Sequence, residues 1–275
     1  MYALPLTSVP KPLMKERRKI IAAGPIWIGV QYRAALSRDP NAARQAKMQI
    51  TRPVQEALNA RRSFQKLMLQ IACNFRPTDS VVTVTYRDAD LPKSKAEADK
   101  HLTAFIRKYR TECRARGAQS FPYIRVTEGY TSDHRYHHHV ILPRCHADPA
   151  EIRMAWARYG DNIDVRPLSW GPPDRYDEQG RPSSRRPKAL PDNCYFSWAK
   201  YLSKESIELG RRRVGERMWR ASLGLQKPTV LYANVSESDT LTPPPGAFVL
   251  DRSESVNEYG RFLQITAIIQ PPSTK

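Results

Sequence analysis

The stretch HHHVIL, residues 137–142, sets three imidazole side chains directly before three aliphatic ones. Alternate side chains of a β-strand share a face, so a strand at this position points His137 and His139 to one side. His138 then points to the other side, together with two of the aliphatic residues. The stretch therefore predicts a half-buried strand that carries two imidazoles, two residues apart, on one face.

Segments around this strand predict an α+β fold. The composition and alternation of apolar residues predict strands at 81–86, 121–128, 136–142 and 162–168, and helical spacing predicts helices at about 51–75, 95–116, 149–158 and 193–209. Residues 171–192 contain five prolines and predict an exposed loop. From the element order we expect an antiparallel sheet of about five strands with helices packed on one face, which is a ferredoxin- or RRM-like arrangement.

The chain divides into three regions by composition. Residues 1–50 are predicted to be a basic accessory N-terminal arm, because they are rich in charge and weak in periodicity. Residues 51–230 hold the predicted core domain. Residues 231–275 form a C-terminal extension, in which strands predicted at 247–251 and 262–269 favour a β-hairpin.

The charge balance favours a polyanionic partner. The sequence has 45 Lys and Arg against 27 Asp and Glu, a formal charge of +18. The first 75 residues alone carry 13 basic and 3 acidic side chains. A solvated basic arm is the simpler interpretation, but a candidate site for phosphate chemistry further along the chain favours nucleic acid.

The sequence predicts neither a membrane span nor a disulfide framework. No run approaches the ~18 uninterrupted apolar residues of a membrane span. The apolar segment 20–30 is broken by Gly24-Pro25 and is interpreted as a docking arm rather than a signal peptide. The four cysteines form no CxxC pair, which is typical of a reduced, cytoplasmic setting.

A metal site is predicted where the histidine strand meets the strand before it. Glu128 ends the preceding strand, so its carboxylate can join His137 and His139 in a set of two imidazoles and one carboxylate. Such an open, mixed N/O site suits Mg²⁺ or Mn²⁺ bridging a phosphate. The alternative is that three adjacent histidines are simply the polar face of an edge strand, with His138 packed rather than ligating.

The last predicted helix carries a candidate nucleophile. Tyr201 and Lys204 lie three residues apart and therefore one above the other on a helix. A nearby ammonium and a metal-bound phosphate would both ease attack by a phenoxide. Most Tyr-x-x-Lys pairs are ordinary helix-face residues, and this pair gains meaning only from the metal site that precedes it.

Together these motifs resemble those of the HUH endonuclease superfamily, specifically the replication initiator (Rep) proteins of rolling-circle plasmids and filamentous phages. The resemblance covers about residues 55–230. Its motifs are the opening strand VTVTYRD (82–88), the strand YIRVTE (123–128), the stretch HHHVIL (137–142), the helix segment AKYLSK (199–204) and the later segment MWRASLGLQKP (218–228). The tyrosine follows the histidines, which is the order of replication initiators rather than of conjugative relaxases.

Two positions depart from the family pattern. The residue between the paired ligands is His138 rather than an aliphatic residue, so another pairing of the histidines stays open. The position four residues before Tyr201 is Ser197, so the two-tyrosine form of the helix is absent and one nucleophile per chain is expected.

The resemblance implies an enzyme, a DNA endonuclease and strand transferase of a plasmid or phage, acting in the cytoplasm of a bacterial host. Tyr201 would cut single-stranded or hairpin origin DNA and form a 5′-phosphotyrosine link, with Glu128, His137 and His139 holding the metal and Lys204 assisting. Arg125 and Arg135 are candidates for contacts with the DNA backbone. A host helicase and polymerase are expected partners, since the chain has no phosphate-binding GxxxxGK[ST] loop.

Two other functions stay open. A single-strand transposase of the same superfamily would share the chemistry but join two specific ends. A non-catalytic nucleic-acid binder on an RRM-like sheet would stack bases on exposed aromatic residues. The predicted active face carries His137 and His139 together with Thr83 and Thr85, which favours phosphate chemistry over base stacking.

Overall fold

A computed structural model of the whole chain describes residues 14–35, 52–129, 136–172, 195–207, 217–257 and 260–269. The chain divides into two compact units, one formed by 23–25 and 56–228 and the other by 1–22, 26–55 and 229–275. We refer to them as the central unit and the outer unit. No helix in the described part of the chain has the length and apolar character needed to cross a lipid bilayer.

The described residues form ten strands and four α-helices. The strands are β1 (Met14–Ala23), β2 (Ile26–Ala35), β3 (Ser80–Thr85), β4 (Ile124–Glu128), β5 (His137–Leu142), β6 (Ile163–Pro167), β7 (Arg220–Ala221), β8 (Thr229–Asn234), β9 (Phe248–Asn257) and β10 (Gly260–Ile268). The helices are α1 (Arg52–Asn74), α2 (Lys95–Ala115), α3 (Pro149–Trp156) and α4 (Tyr195–Ile207). The α+β class predicted from the sequence is confirmed.

The central unit is built on an antiparallel sheet with the strand order β6-β3-β5-β4-β7. Strand β5 lies in the middle, with β3 paired along one side and β4 along the other. Its register sets His137 opposite Glu128 on β4 and opposite Thr85 on β3. His139 lies opposite Thr83 in the same way. We call the face that carries Thr83, Glu128, His137 and His139 the front face.

The back face of this sheet forms the core of the central unit. Val82, Val84, Val140 and Leu142 point to this side and are buried against residues of α2 and α3, among them Leu102, Phe105, Tyr109, Ile152 and Trp156. Both helices begin at side-chain caps, Ser94 for α2 and Asp148 for α3. This packing holds the central strands rigidly from behind.

Helix α4 lies over the front face, so helices contact both sides of the sheet rather than one. Two buried side chains anchor it: Trp198 donates a hydrogen bond to the carbonyl of Leu168, and Tyr195 donates one to the carbonyl of Phe75. Both lie on the apolar side of the helix, and the neighbouring side is turned toward the histidines of β5. The loop predicted at 171–192 lies, from residue 173 onward, outside the described residues.

The outer unit contains a second antiparallel sheet, with the order β8-β1-β2-β10-β9, that the sequence did not predict as a whole. Its first two strands fall within the region assigned to an N-terminal arm, whose residues 1–13 and 36–50 lie outside the described residues. The segment 20–30, interpreted above as a docking arm, is a hairpin. Gly24 has a φ of 53° in its turn, a conformation that glycine adopts without strain.

The predicted C-terminal hairpin is present as β9 and β10, whose residues pair from Gly260 with Asn257 to Ile268 with Phe248. The core of the outer unit lies on one side of its sheet, where Trp27, Leu263, Ile265 and Ala267 pack with Leu241.

Candidate active site

The three predicted ligands converge at one end of the front face. Glu128 ends β4, and the β4–β5 register places it directly opposite His137, with His139 one alternation further along. One ligand atom from each of Glu128, His137 and His139 lies within 4.8 Å of the others. These three residues can therefore hold one metal ion.

The distances within this group fit a shared ion. Glu128 Oε2 lies 3.2 Å from His137 Nε2 and 3.5 Å from His139 Nε2. Two ligands bound to one cation through bonds of about 2.1 Å lie about 3.0 to 3.4 Å apart. The carboxylate and the imidazoles thus stand at the separation that a common ion requires.

Two buried atoms of the group have no hydrogen-bond partner among the described residues. They are Glu128 Oε1 and His139 Nε2, on side chains that are each 2% exposed. Leaving a buried polar atom unpaired costs free energy, so such atoms are rare and call for an explanation. Metal coordination would satisfy both.

The protonation states also suit a cation. Burial alone would raise the pKa of Glu128, but its interactions with His139 and with His137 outweigh burial and hold that pKa well below its ordinary value. Burial lowers the pKa of His139 by more than the neighbouring carboxylate raises it. The group therefore offers an anionic carboxylate and, in His139, a neutral imidazole, which are the forms that bind metals.

Thr83 contacts the buried candidate ligand His139. Its Oγ1 is hydrogen-bonded to His139 Nδ1 at 2.9 Å, across the β3–β5 pair. A neutral His139 that donates from Nδ1 to Thr83 presents the lone pair of Nε2 to the metal position. Partners of this kind behind a ligand histidine fix its tautomer and ring orientation.

His138 points to the back face and has a partner for each ring nitrogen. Its Nε2 lies 2.8 Å from the Tyr86 hydroxyl, and its Nδ1 lies 3.0 Å from Thr127 Oγ1. The Thr127 hydroxyl donates to Asp99 Oδ1, so it accepts from Nδ1, and Nε2 accepts from Tyr86. Burial first, and then repulsion from its two neighbouring histidines, lowers the pKa of His138 well below its ordinary value, and the residue is a neutral structural imidazole.

Helix α4 brings Tyr201 and Lys204 to the metal position. The ring of Tyr201 lies 5.4 Å from the ring of His139, centroid to centroid. Lys204 Nζ lies 3.6 Å from the centroid of the Tyr201 ring and 3.0 Å from Glu128 Oε2. The ammonium therefore links the candidate nucleophile to the carboxylate of the candidate metal site. The structure thus groups all five predicted site residues.

Of the two arginines proposed as DNA contacts, one belongs to the described residues. Arg125 is buried at 7% exposure on the back face and donates to Thr103 Oγ1, so its assignment to the DNA backbone is wrong. Its position opposite Val140, a back-face residue, accounts for this through strand alternation. Arg135 lies outside the described residues.

Sequence reasoning missed the residues that support the site from behind. Tyr86, Thr127 and Asp99 hold His138. The first two lie within quoted motifs, but the sequence pattern predicts a role for none of the three. Thr83 was placed on the active face, but its partnership with His139 depends on the register of two strands more than fifty residues apart. Only a prediction of strand pairing could have revealed these contacts.

One family model matches the chain. Residues 79–206 match a family of replication-associated proteins, described by its ORF2 and gene-2-protein members. The matched region is somewhat less than half of the chain, and it contains Glu128, His137, His139, Tyr201 and Lys204. No curated protein and no solved structure matches the chain at a significant level. The match supports a Rep-like protein with a role in replication, and hence DNA as its partner.

Proposed function

We propose that this chain is a rolling-circle replication initiator of the HUH type, which nicks and rejoins single-stranded origin DNA through Tyr201. The observation that carries the proposal is the grouping of Glu128, His137 and His139 within 4.8 Å, with the ring of Tyr201 5.4 Å from that of His139. Phosphoryl transfer needs a nucleophile and positive charge near the phosphate. A tyrosine, a lysine and three residues that can hold a metal would supply them. The domain that performs it would span residues 51–230.

The metal proposed for this site is Mg²⁺ or Mn²⁺. Both accept imidazole and carboxylate ligands together with oxygen ligands from a phosphate. When bound, the ion would supply Lewis-acid polarisation of the scissile phosphate. Front-face strands locked by the core on the back face would hold the ligands in place without much loss of entropy.

The side chain of Tyr201 would perform the covalent step. Its phenolic oxygen loses its proton and forms a bond to phosphorus, while the bond from phosphorus to the 3′ oxygen breaks and that oxygen takes up a proton. The products are a 5′-phosphotyrosine and a free 3′-OH. The link retains the energy of the phosphodiester, so attack by a 3′-OH reverses the step and rejoins DNA without ATP.

Lys204 would act on both the candidate nucleophile and the carboxylate of the proposed metal site. Its ammonium lies against the face of the Tyr201 ring, where a positive charge favours the phenoxide over the phenol. The same ammonium lies beside Glu128 and balances the buried negative charge of the carboxylate. Extension of the released 3′ end would fall to a host polymerase, and unwinding to a host helicase.

The test is an adduct assay with a pool of single-stranded oligonucleotides that have a randomised centre, in the presence of Mn²⁺. A 5′-phosphotyrosine retains the downstream fragment, so a 3′ label should migrate with the protein on a denaturing gel while a 5′ label appears on a shorter free strand. The protein-bound fraction, sequenced, would reveal the preferred site.

The decisive variant is Tyr201→Phe, which should form no adduct while it binds the pool nearly as well as the unchanged protein. Tyr195→Phe is the matched control, because this tyrosine lies in the same helix but points into the core. It should retain the adduct. An adduct formed by Tyr201→Phe would reject the nucleophile, and absence of any adduct from the unchanged protein would favour a non-catalytic nucleic-acid binder. Joining of two specific ends without replication would favour a transposase.

A further inference from the structure

One face of the sheet in the outer unit combines basic and aromatic side chains. Arg18 contacts Gln31 and Glu16 contacts Arg33, so these residues lie opposite each other on β1 and β2 and share one face of the sheet. In this register Arg17 lies opposite Tyr32, and both point to the other face of the sheet. Tyr32 is paired with Phe262 on β10. Lys19 is paired with Tyr232 on β8. We call Arg17, Lys19, Tyr32, Tyr232 and Phe262 the platform.

The aromatic members of the platform are accessible at its two sides. Tyr232 is 68% exposed on the edge strand β8, and Phe262 is 36% exposed on β10. Lys19 Nζ lies 5.7 Å from the centroid of the Tyr232 ring. Tyr232 and Phe262 are separated by three strand spacings, about 14 Å, with the basic strand β1 and Tyr32 between them.

The charges of the two faces of this sheet are organised differently. On the face opposite the platform, Arg33 contacts Glu237 at 2.6 Å and Arg261 contacts Glu254 at 2.6 Å. On that same face Arg18 donates to the Gln31 side-chain oxygen and to the Thr240 carbonyl. On the platform, neither Arg17 nor Lys19 forms an ion pair with a carboxylate of the described residues. The platform therefore presents uncompensated positive charge beside exposed aromatic rings.

We propose that the platform binds single-stranded DNA. Arg17 and Lys19 would contact backbone phosphates, and the rings of Tyr232, Tyr32 and Phe262 would stack with unpaired bases. This combination of a basic track and stacking rings is how single strands are bound without sequence preference, whereas a duplex keeps its bases inaccessible to such rings. A second copy of the chain is a poorer occupant, because a symmetric contact would bring the same unpaired cations together.

The site is separate from the metal centre, and the proposal needs DNA as a ligand but not the cleavage step. Binding is therefore measured on the full chain carrying Tyr201→Phe, in the presence of a metal chelator, by fluorescence anisotropy of a labelled oligothymidylate. If the proposed cleavage failed in the adduct assay, this measurement would still give a result. Conversely, loss of platform binding would leave the adduct assay of the metal centre interpretable.

The stacking arm compares two neighbours on β8. Tyr232→Ala should weaken binding about tenfold, within the range for removal of one stacking ring. Leu231→Ala is the matched control, since Leu231 is 62% exposed but points to the opposite face. It should change affinity less than twofold. Equal affinities for the two variants would overturn the proposal.

The charge arm compares two cations on opposite faces. Lys19→Gln should reduce the slope of log affinity against log salt by about 0.7, the value for one phosphate contact with a single strand. Arg252→Gln on the other face should leave the slope unchanged. This arm does not depend on the fold tolerating Tyr232→Ala, which thermal melting checks. A Tyr232→Ala protein that changes its mass by light scattering but not its DNA affinity would identify a protein interface instead and overturn the proposal.

Discussion

Two neighbours on β5, His138 and His139, are both buried yet differ in how their polar atoms are satisfied. His138 has a hydrogen-bond partner at each nitrogen, Tyr86 and Thr127. His139 has Thr83 at Nδ1, and its Nε2 has no hydrogen-bond partner among the described residues. The back face therefore completes its histidine with protein groups, whereas the front face leaves a lone pair available.

The unpaired nitrogen, which has no hydrogen-bond partner in the described part of the chain, distinguishes the candidate ligand His139 from the structural residue His138, although residue type and burial are the same. A buried polar atom without a partner costs about 1 to 3 kcal/mol. The back face avoids this cost by an ordered chain of hydrogen bonds from Tyr86 to Asp99. The front face would recover it only when a cation joins Glu128 Oε1 and His139 Nε2. The variants below test whether the two faces really have these separate roles.

The largest expected effect is loss of the metal from the front face. His139→Ala removes one of three protein ligands, so affinity for Mn²⁺ should fall by more than about 100-fold, beyond the 10- to 100-fold typical of changes behind the ligands. Isothermal titration measures this directly. The thermal stabilisation by saturating Mn²⁺ that we expect of the unchanged protein should be absent from this variant. Metal affinity within threefold of the unchanged protein would remove His139 from the ligand set.

The opposite pattern is expected from the back face. His138→Leu should lower the free energy of unfolding by about 1 to 3 kcal/mol, because the Tyr86 and Thr127 hydroxyls each lose a buried partner. The decrease in the free energy of unfolding stays in this range, because the Thr127 hydroxyl still donates to Asp99. Urea unfolding in the presence of a chelator measures the change without a contribution from metal. If His138→Leu lost metal binding as completely as His139→Ala, the two faces of the sheet would not have separate roles.

The face to which each of the three histidines points was predictable from the sequence, because it depends only on strand alternation. The same holds for Tyr201 and Lys204, whose spacing of three residues on a helix brings them together, as the 3.6 Å contact between ammonium and ring bears out. Arg125 was misassigned although alternation alone places it on the face opposite to Glu128, since it lies three residues earlier on the same strand. Contacts across strands, such as Thr83 with His139, require a register that local patterns do not contain.

The outer sheet was harder to predict for a related reason. Strand β1 has the sequence MKERRKIIAA, in which consecutive charged residues hide the alternation between faces. Its partners include β8, whose residues are all exposed and lie about two hundred positions away. A strand is recognised locally by a contrast between buried and exposed positions. Where both faces carry polar residues, pairing between distant segments determines the structure and the local pattern does not reveal it.

A smaller, matched pair of substitutions sharpens the comparison between the faces. Thr83→Val and Thr127→Val each remove one hydroxyl that contacts a histidine, with little change in shape. Thr83→Val should lower Mn²⁺ affinity about tenfold, because His139 loses the partner that orients it. Thr127→Val should leave metal affinity nearly unchanged and lower the free energy of unfolding by about 1 kcal/mol. Equal effects of both variants on metal affinity would show that the two faces are coupled rather than independent.

The smallest expected effect distinguishes the role of Lys204 from that of the proposed metal ligands beside it. Its ammonium lies 3.0 Å from Glu128 Oε2, so it competes with a divalent cation for the same oxygen. Lys204→Met should therefore raise Mn²⁺ affinity severalfold, since a nearby positive charge disfavours the bound ion, while it slows formation of the DNA adduct. Lys200→Met, an exposed lysine one turn earlier on α4, is the control and should change neither quantity. A fall in metal affinity for Lys204→Met would mean that the ammonium holds Glu128 in place for the metal, and the front face would then depend on α4 for its geometry as well as for its nucleophile.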